Sequence, residues 1–217
     1  MEVNQENRTV GQRTGMIGIL VLLIAALVLP VGRGMARAQE ATPTPVTCDL
    51  EPVSETFLAD LLELPVPEVT ATAVSAIPEG TEATDDALRT DVTTVIEKLI
   101  SCVNQGEVLR SFALFDPHYL RRVIDPDGLM SQAVAIEIAK SFATPEAIAD
   151  DQMTRLERVL SVRQLADGAI VVIFETSGGV DRERDETQVD LFVLREIDGK
   201  WLIVDGLSDV AWDESGA

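Results

Sequence analysis

Apolar residues in the middle of the chain recur at spacings of three and four. Leu88, Val92, Val95, Ile96, Leu99, Ile100 and Val103 fall on one face of a helix, so that face is expected to be buried. Asp85 and Asp86 suit the positive end of such a helix, with Thr84 as its cap, and Gly106 supplies the stop. A second helix is predicted over Glu107–Phe115, turning Val108, Leu109, Phe112 and Phe115 inward. Asp116-Pro117 then restarts a turn of helix through Ile124, with proline at the first helical position. Asp125-Pro126-Asp127-Gly128 reads as a turn and Leu129–Phe142 as a third apolar-rich helix. Thr144-Pro145-Glu146 reads as the opening of a further short helical segment.

From Leu156 the period drops to two. Arg158–Leu165 and Ala169–Thr176 flank Asp167-Gly168, while Thr187–Ile197 and Lys200–Leu207 flank Asp198-Gly199. Asp-Gly between alternating apolar runs is a strong hairpin signal, because both residues tolerate the positive φ that a tight turn demands. Ser177–Glu186 makes the longer connection between the two hairpins. The predicted class is α+β: three helices, then a four-stranded antiparallel meander with the helices covering one sheet face. Along the strands, outward positions such as Gln188, Asp190 and Glu196 are mixed with apolar ones.

The N-terminal part is organised differently. Ser54–Leu64 predicts a short helix with Phe57, Leu58, Leu61 and Leu62 on one face and Pro65 at its end. A helix this short is marginal alone and is expected to dock. Val66–Glu82 has no consistent period and reads as a loop or linker; Gln39–Thr47, with its Ala-Thr-Pro-Thr-Pro run, reads as an extended stalk. Ahead of it, Arg8 and Arg13 precede a run of 14 apolar residues or glycines, Met16–Leu29, and Ala36-Arg37-Ala38 follows. That order predicts a secretory signal peptide over residues 1–38, cleaved between Ala38 and Gln39. The rival is an uncleaved anchor, since the uncharged stretch between Arg13 and Arg33 covers 19 residues, close to the ~20 that span a bilayer. In both readings the remainder is exported, either secreted or held on the outer face of the cytoplasmic membrane. The expected organisation is therefore a leader over 1–38 and a Thr/Pro-rich linker over 39–83 with a docking helix at 54–64. The main domain spans 84–210, and an acidic tail 211–217.

Charge narrows the function classes. The chain holds 37 Asp and Glu against 17 Lys and Arg; without residues 1–38, 35 face 13, a net of −22. A balance this acidic repels phosphate backbones and excludes nucleic-acid binding. One histidine and two cysteines cannot build a His/Cys metal cluster within one chain. Carboxylates alternate along Asp181–Glu186, but Arg182 and Arg184 neutralise them, so a solvated loop is expected rather than a calcium site. Neither a phosphate-cradling glycine loop nor a Gly-x-Ser-x-Gly elbow occurs, and no cofactor is implied. In an oxidising compartment Cys48 and Cys102 are expected to pair, closing a loop worth about 4 kcal/mol.

The order of elements resembles a known family. The first helix ends in Val103-Asn104-Gln105-Gly106-Glu107, and the second carries Phe112-Ala113-Leu114-Phe115-Asp116 and then Tyr119. The C-terminal hairpin reads Asp198-Gly199-Lys200-Trp201-Leu202-Ile203-Val204. Over about residues 84–210 the chain resembles the nuclear-transport-factor-2-like superfamily, which includes the SnoaL-like polyketide cyclases and ketosteroid isomerases. The resemblance implies a curved four-stranded sheet wrapped around three helices to form a cone with a hydrophobic pocket. Members include enzymes, ligand binders and dimerising scaffolds, so the fold does not choose the function.

Within that frame Asp116, His118 and Tyr119 form the densest polar cluster near the pocket mouth. As an isomerase or cyclase, the chain would use Asp116 as the base and Tyr119, its sole tyrosine, as the acid that holds an oxyanion. The competing reading makes Asp116 a helix cap, packs Tyr119 beside Phe115 and leaves His118 on the surface. Phe115, His118, Tyr119, Phe174, Phe192 and Trp201 are the pocket-lining candidates, although strand aromatics most often fill cores. The favoured expectation is an exported, non-catalytic domain that holds a small apolar molecule or a protein partner. The alternatives are that enzyme, or a structural, self-associating module that forms a homodimer through its exposed sheet face. Membrane contact is expected only through an uncleaved N-terminal segment.

Overall fold

A computed structural model describes residues 47–65, 76–180, 182 and 186–212. The leader over 1–38, the stalk up to residue 46, residues 66–75 of the linker and 213–217 of the tail lie outside the described residues. So do residues 181 and 183–185 of the predicted long connection.

The described chain runs α1 (Phe57–Glu63), β1 (Thr81–Glu82), α2 (Asp86–Asn104) and α3 (Val108–Ser111), followed by a 3-10 turn (Phe112–Leu114). It continues through α4 (Pro117–Ile124) and α5 (Gln132–Ser141) into β2 (Arg155–Gln164), β3 (Ile170–Ser177), β4 (Thr187–Ile197) and β5 (Lys200–Leu207). The five strands form one antiparallel sheet in chain order, so the class is α+β. Asp198 and Gly199 both take positive φ, 52° and 74°, as a two-residue hairpin turn requires.

Three expectations need correction. The sheet has five strands rather than four. The extra strand is β1, at the end of the stretch expected to be loop, where Thr81 pairs with Gln164 and Glu82 with Arg163. Two residues are too few to display a period. The helical half holds five α-helices among the described residues, not three beside a docking helix. The helix expected over Glu107–Phe115 stops at Ser111, because Phe115 turns to extended backbone and bridges Ile203 while the Asp116 N–H donates to the Ile203 carbonyl at 2.9 Å. Pro117, with no N–H to give, then opens α4. Lastly, Thr144-Pro145-Glu146 is not helical; the segment runs on to Ile148, whose N–H meets the Asn104 carbonyl at the end of α2.

Caps also sit elsewhere than predicted. Asp85, not Thr84, caps α2, accepting from the N–H of Ala87 at 2.9 Å and of Leu88 at 3.4 Å. Helix α5 begins at Gln132 behind Ser131, since the Asp125 carboxylate holds the N–H groups of Leu129 and Met130 at 2.8 and 3.1 Å.

Packing divides into three clusters. Helix α2 lays Val92, Val95 and Ile96 against Val162, Ile170, Val172, Phe174, Leu194 and Ile203 of the sheet, with Leu114 and Tyr119 beside them. Helices α1, α3, α4 and α5 build a second cluster around Leu58, Leu61, Phe112, Leu120, Ala135 and Ala139. Phe115 contacts both. On the other sheet face Val171, Ile173, Leu191 and Val193 are buried with Ile77, Val210 and Trp212 packed against them. That face is apolar, as a dimer surface would need, and Leu160, Val189, Val204 and Leu207 on it are half-buried.

The Cys48–Cys102 disulfide is formed, with Cα atoms 4.7 Å apart and Cys102 fully buried. Around it the Arg110 guanidinium donates to the Leu50 carbonyl, and Val53 N–H to the Leu109 carbonyl at 3.1 Å. The entry to α1 is thereby fixed on α2 and α3.

Candidate functional site

Tyr119 sits where α4 meets β5. Its ring stacks on Phe115, four residues back, at 6.0 Å between centroids, and only 5% of the residue is exposed. The Arg122 guanidinium lies over the same ring at 5.3 Å and donates to Asp205 Oδ1 at 2.7 Å. Asp205 Oδ1 also accepts from the Gly206 N–H at 2.9 Å. Burial, and next the Asp205 carboxylate, raise the Tyr119 pKa far above its ordinary value; Arg122 opposes them. The phenol is therefore neutral across the physiological range and can only share, not shed, its proton.

The candidate base, Asp116, stands at the start of α4. Asp116 Oδ1 accepts from the N–H groups of His118 at 2.9 Å and Tyr119 at 3.1 Å, capping α4. His118 is exposed and apart from the aromatic cluster. The other five pocket-lining candidates come together. Phe174 is 2% exposed, Phe192 lies 5.2 Å from it, and Phe115, Phe192 and Trp201 pack on the core that contains Phe174 and Tyr119. Phe174 and Tyr119 are buried there, while Phe115, Phe192 and Trp201 are half-buried.

No protein-family model matches the chain, and neither does any curated protein. Among solved structures it is similar to a putative calcium/calmodulin-dependent protein kinase II association domain from Xanthomonas campestris. The two are 17% identical, with a TM-score of 0.35, over 63% of this chain and 98% of that one.

Two polar features inside the domain were not anticipated. Asp190 was expected to face outward, yet it is 5% exposed, because on β4 it shares a side with Phe192 and Leu194. Its carboxylate accepts from Gln188 Nε2 at 2.5 Å, from the Asp209 N–H at 3.4 Å and from the Thr176 hydroxyl at 3.4 Å. Burial pushes its pKa up, against the pull of Gln188, the Arg182 guanidinium and donors at 208–209. Asp125, read as a turn residue, also forms a buried pair with Arg121 at 2.8 Å. The i, i+4 spacing of Arg121 and Asp125 was the available signal. Among the described residues no cluster of three or more histidine, cysteine, aspartate or glutamate side chains could hold a metal ion.

An accessible concavity among the described residues lies on the outside of the helical layer. It is a shallow groove on α5 lined by Ala133, Val134, Glu137, Ile138 and Ser141.

Proposed function

We propose that this chain is an exported, non-catalytic interaction domain built on a nuclear-transport-factor-2-like cone, and that its ligand is a protein rather than a small apolar molecule. Export is supported by the leader-like N-terminus together with a disulfide that ties Cys48, ten residues past the expected cleavage site, to α2. The order of elements, helices followed by an antiparallel meander, supports the cone. The observation that carries the choice of ligand is the cluster of aromatic rings packed against the core between α2 and the sheet. Phe115, Tyr119, Phe174 and Phe192 belong to it, and Asp116 Oδ1 caps α4. Apolar side chains are instead left outside, at Leu129 and Val134.

Native mass spectrometry of the protein recovered after export from its own host tests this reading. The expected result is a chain beginning at Gln39 with no retained small molecule. A tightly held companion of a few hundred daltons, lost on denaturation, would overturn it in favour of a pocket binder or an enzyme. A chain beginning at Met1 would replace the cleaved leader with an anchor.

A further inference from the structure

We infer that the outer surface formed by α1 and α5 docks a basic amphipathic helix of a partner protein; this rests on the interaction-domain reading above. Val134 on α5 is 51% exposed, and Leu129, three residues ahead of that helix, is 84% exposed; they are the two most exposed large apolar side chains among the described residues. Val134 opens onto the groove that Ala133, Ile138 and Ser141 also line. Helix α5 already buries Ala135 and Ala139 against Phe112, Phe142 and the α1 leucines. Its second apolar side is thus an addition to the inward face that the fold requires.

The charges around the groove select the occupant. Glu55, Asp60 and Glu63 stand exposed along α1 and its entry, and Glu137 is exposed within the groove. Lys140 is the cation that these two helices carry, and it is engaged with Glu137 at 2.9 Å. Gln132 reaches Glu63 at 3.3 Å and joins the two helices into one platform. The net of −22 beyond the leader adds a field of the same sign. That field repels a second copy of the chain and an anionic lipid surface, and attracts a cationic segment. An apolar groove with an acidic rim complements a helix whose apolar stripe is flanked by lysine and arginine.

The full chain, purified after export with its disulfide intact, is titrated with a fluorescent helical peptide of about five turns. The peptide places leucine on one face and lysine on the other; a leucine/glutamate peptide is the counterpart. Leu129→Ser with Val134→Ser is expected to weaken leucine/lysine binding at least about tenfold. Glu63→Gln with Glu137→Gln is expected to weaken it and to flatten its salt dependence. Glu196→Gln with Asp198→Asn, in the β4–β5 hairpin, should leave it within about twofold. Equal affinity after Leu129→Ser/Val134→Ser would overturn the docking face, as would equal binding of the leucine/glutamate peptide. A dimer in light scattering that the same pair of substitutions dissociates would put a second copy there instead. Neither titration result bears on a retained small molecule, so the two readings fail separately.

Discussion

Gly206 in β5 lies against the Phe192 ring of β4: a Cβ on residue 206 would stand 2.6 Å from Phe192 Cδ1 and 3.1 Å from the Tyr119 hydroxyl. The absent side chain leaves the room that both rings occupy. Gly206→Ala is expected to cost about 1–3 kcal/mol as overpacking, read as a lower midpoint in urea. Trimming the ring with Phe192→Leu in the same chain should recover part of that loss. An alanine variant as stable as the wild type would show that the ring moves aside freely.

Tyr119 is the sole tyrosine, so phenolate absorbance reports on it alone. Its raised pKa means that the folded state holds the proton more tightly than the unfolded chain does. The stability linked to it is complete below the unfolded value of about 10 and falls as pH rises beyond it. A spectrophotometric titration should therefore detect no ionisation near pH 10, and phenolate should emerge only with alkaline unfolding. A normal curve centred near 10 would contradict the burial described.

Asp190 is raised as well, with a consequence of the same sign in a lower pH window. The folded state prefers the protonated acid, so this group's contribution is greatest below the ordinary carboxylate value of about 4 and declines as pH rises through the higher folded value. Asp190→Asn keeps an acceptor for Gln188 and for the Asp209 N–H but removes the charge. The stability of the variant relative to wild type should increase between about pH 3 and pH 7. A constant difference across that range would mean that Gln188, with Arg182 and the donors at 208–209, fully offsets the burial.

Replacing both cysteines in Cys48→Ser/Cys102→Ser is expected to lower stability by up to about 4 kcal/mol. Limited proteolysis should then cut between residues 48 and 65, since that stretch would be held by its packing and by the hydrogen bonds Arg110–Leu50, Val53–Leu109 and Gln132–Glu63 without a covalent tie. Identical melting temperatures for the two proteins would remove the disulfide from the account of stability.

Features fixed by adjacent residues were legible before the fold was known. Asp198-Gly199 marked its hairpin, Asp116-Pro117 the start of α4, and the four-residue spacing of Phe115 and Tyr119 their stacking. What escaped depended on partners far away in the chain. β1 exists only because Gln164 and Arg163 offer it an edge. The break after Ser111 follows from Ile203, nearly a hundred residues on. Asp190 could have been turned inward by counting in twos from Phe192 and Leu194, but Gln188 on the same side argued for solvent. The α5 groove had no local signature, because only the docking of α1 decides which apolar side of α5 is left over.

The disulfide also sets a mechanical route through the molecule. Any pull arriving along the chain from residue 47 reaches Cys48 and crosses at once to Cys102, near the end of α2. Residues 49–101, with α1, β1 and most of α2, form a side loop off that path and carry no tension. A domain held by its N-terminal stalk would thus be loaded on α2 at a buried point, while α1 and β1 would lie off the loaded path.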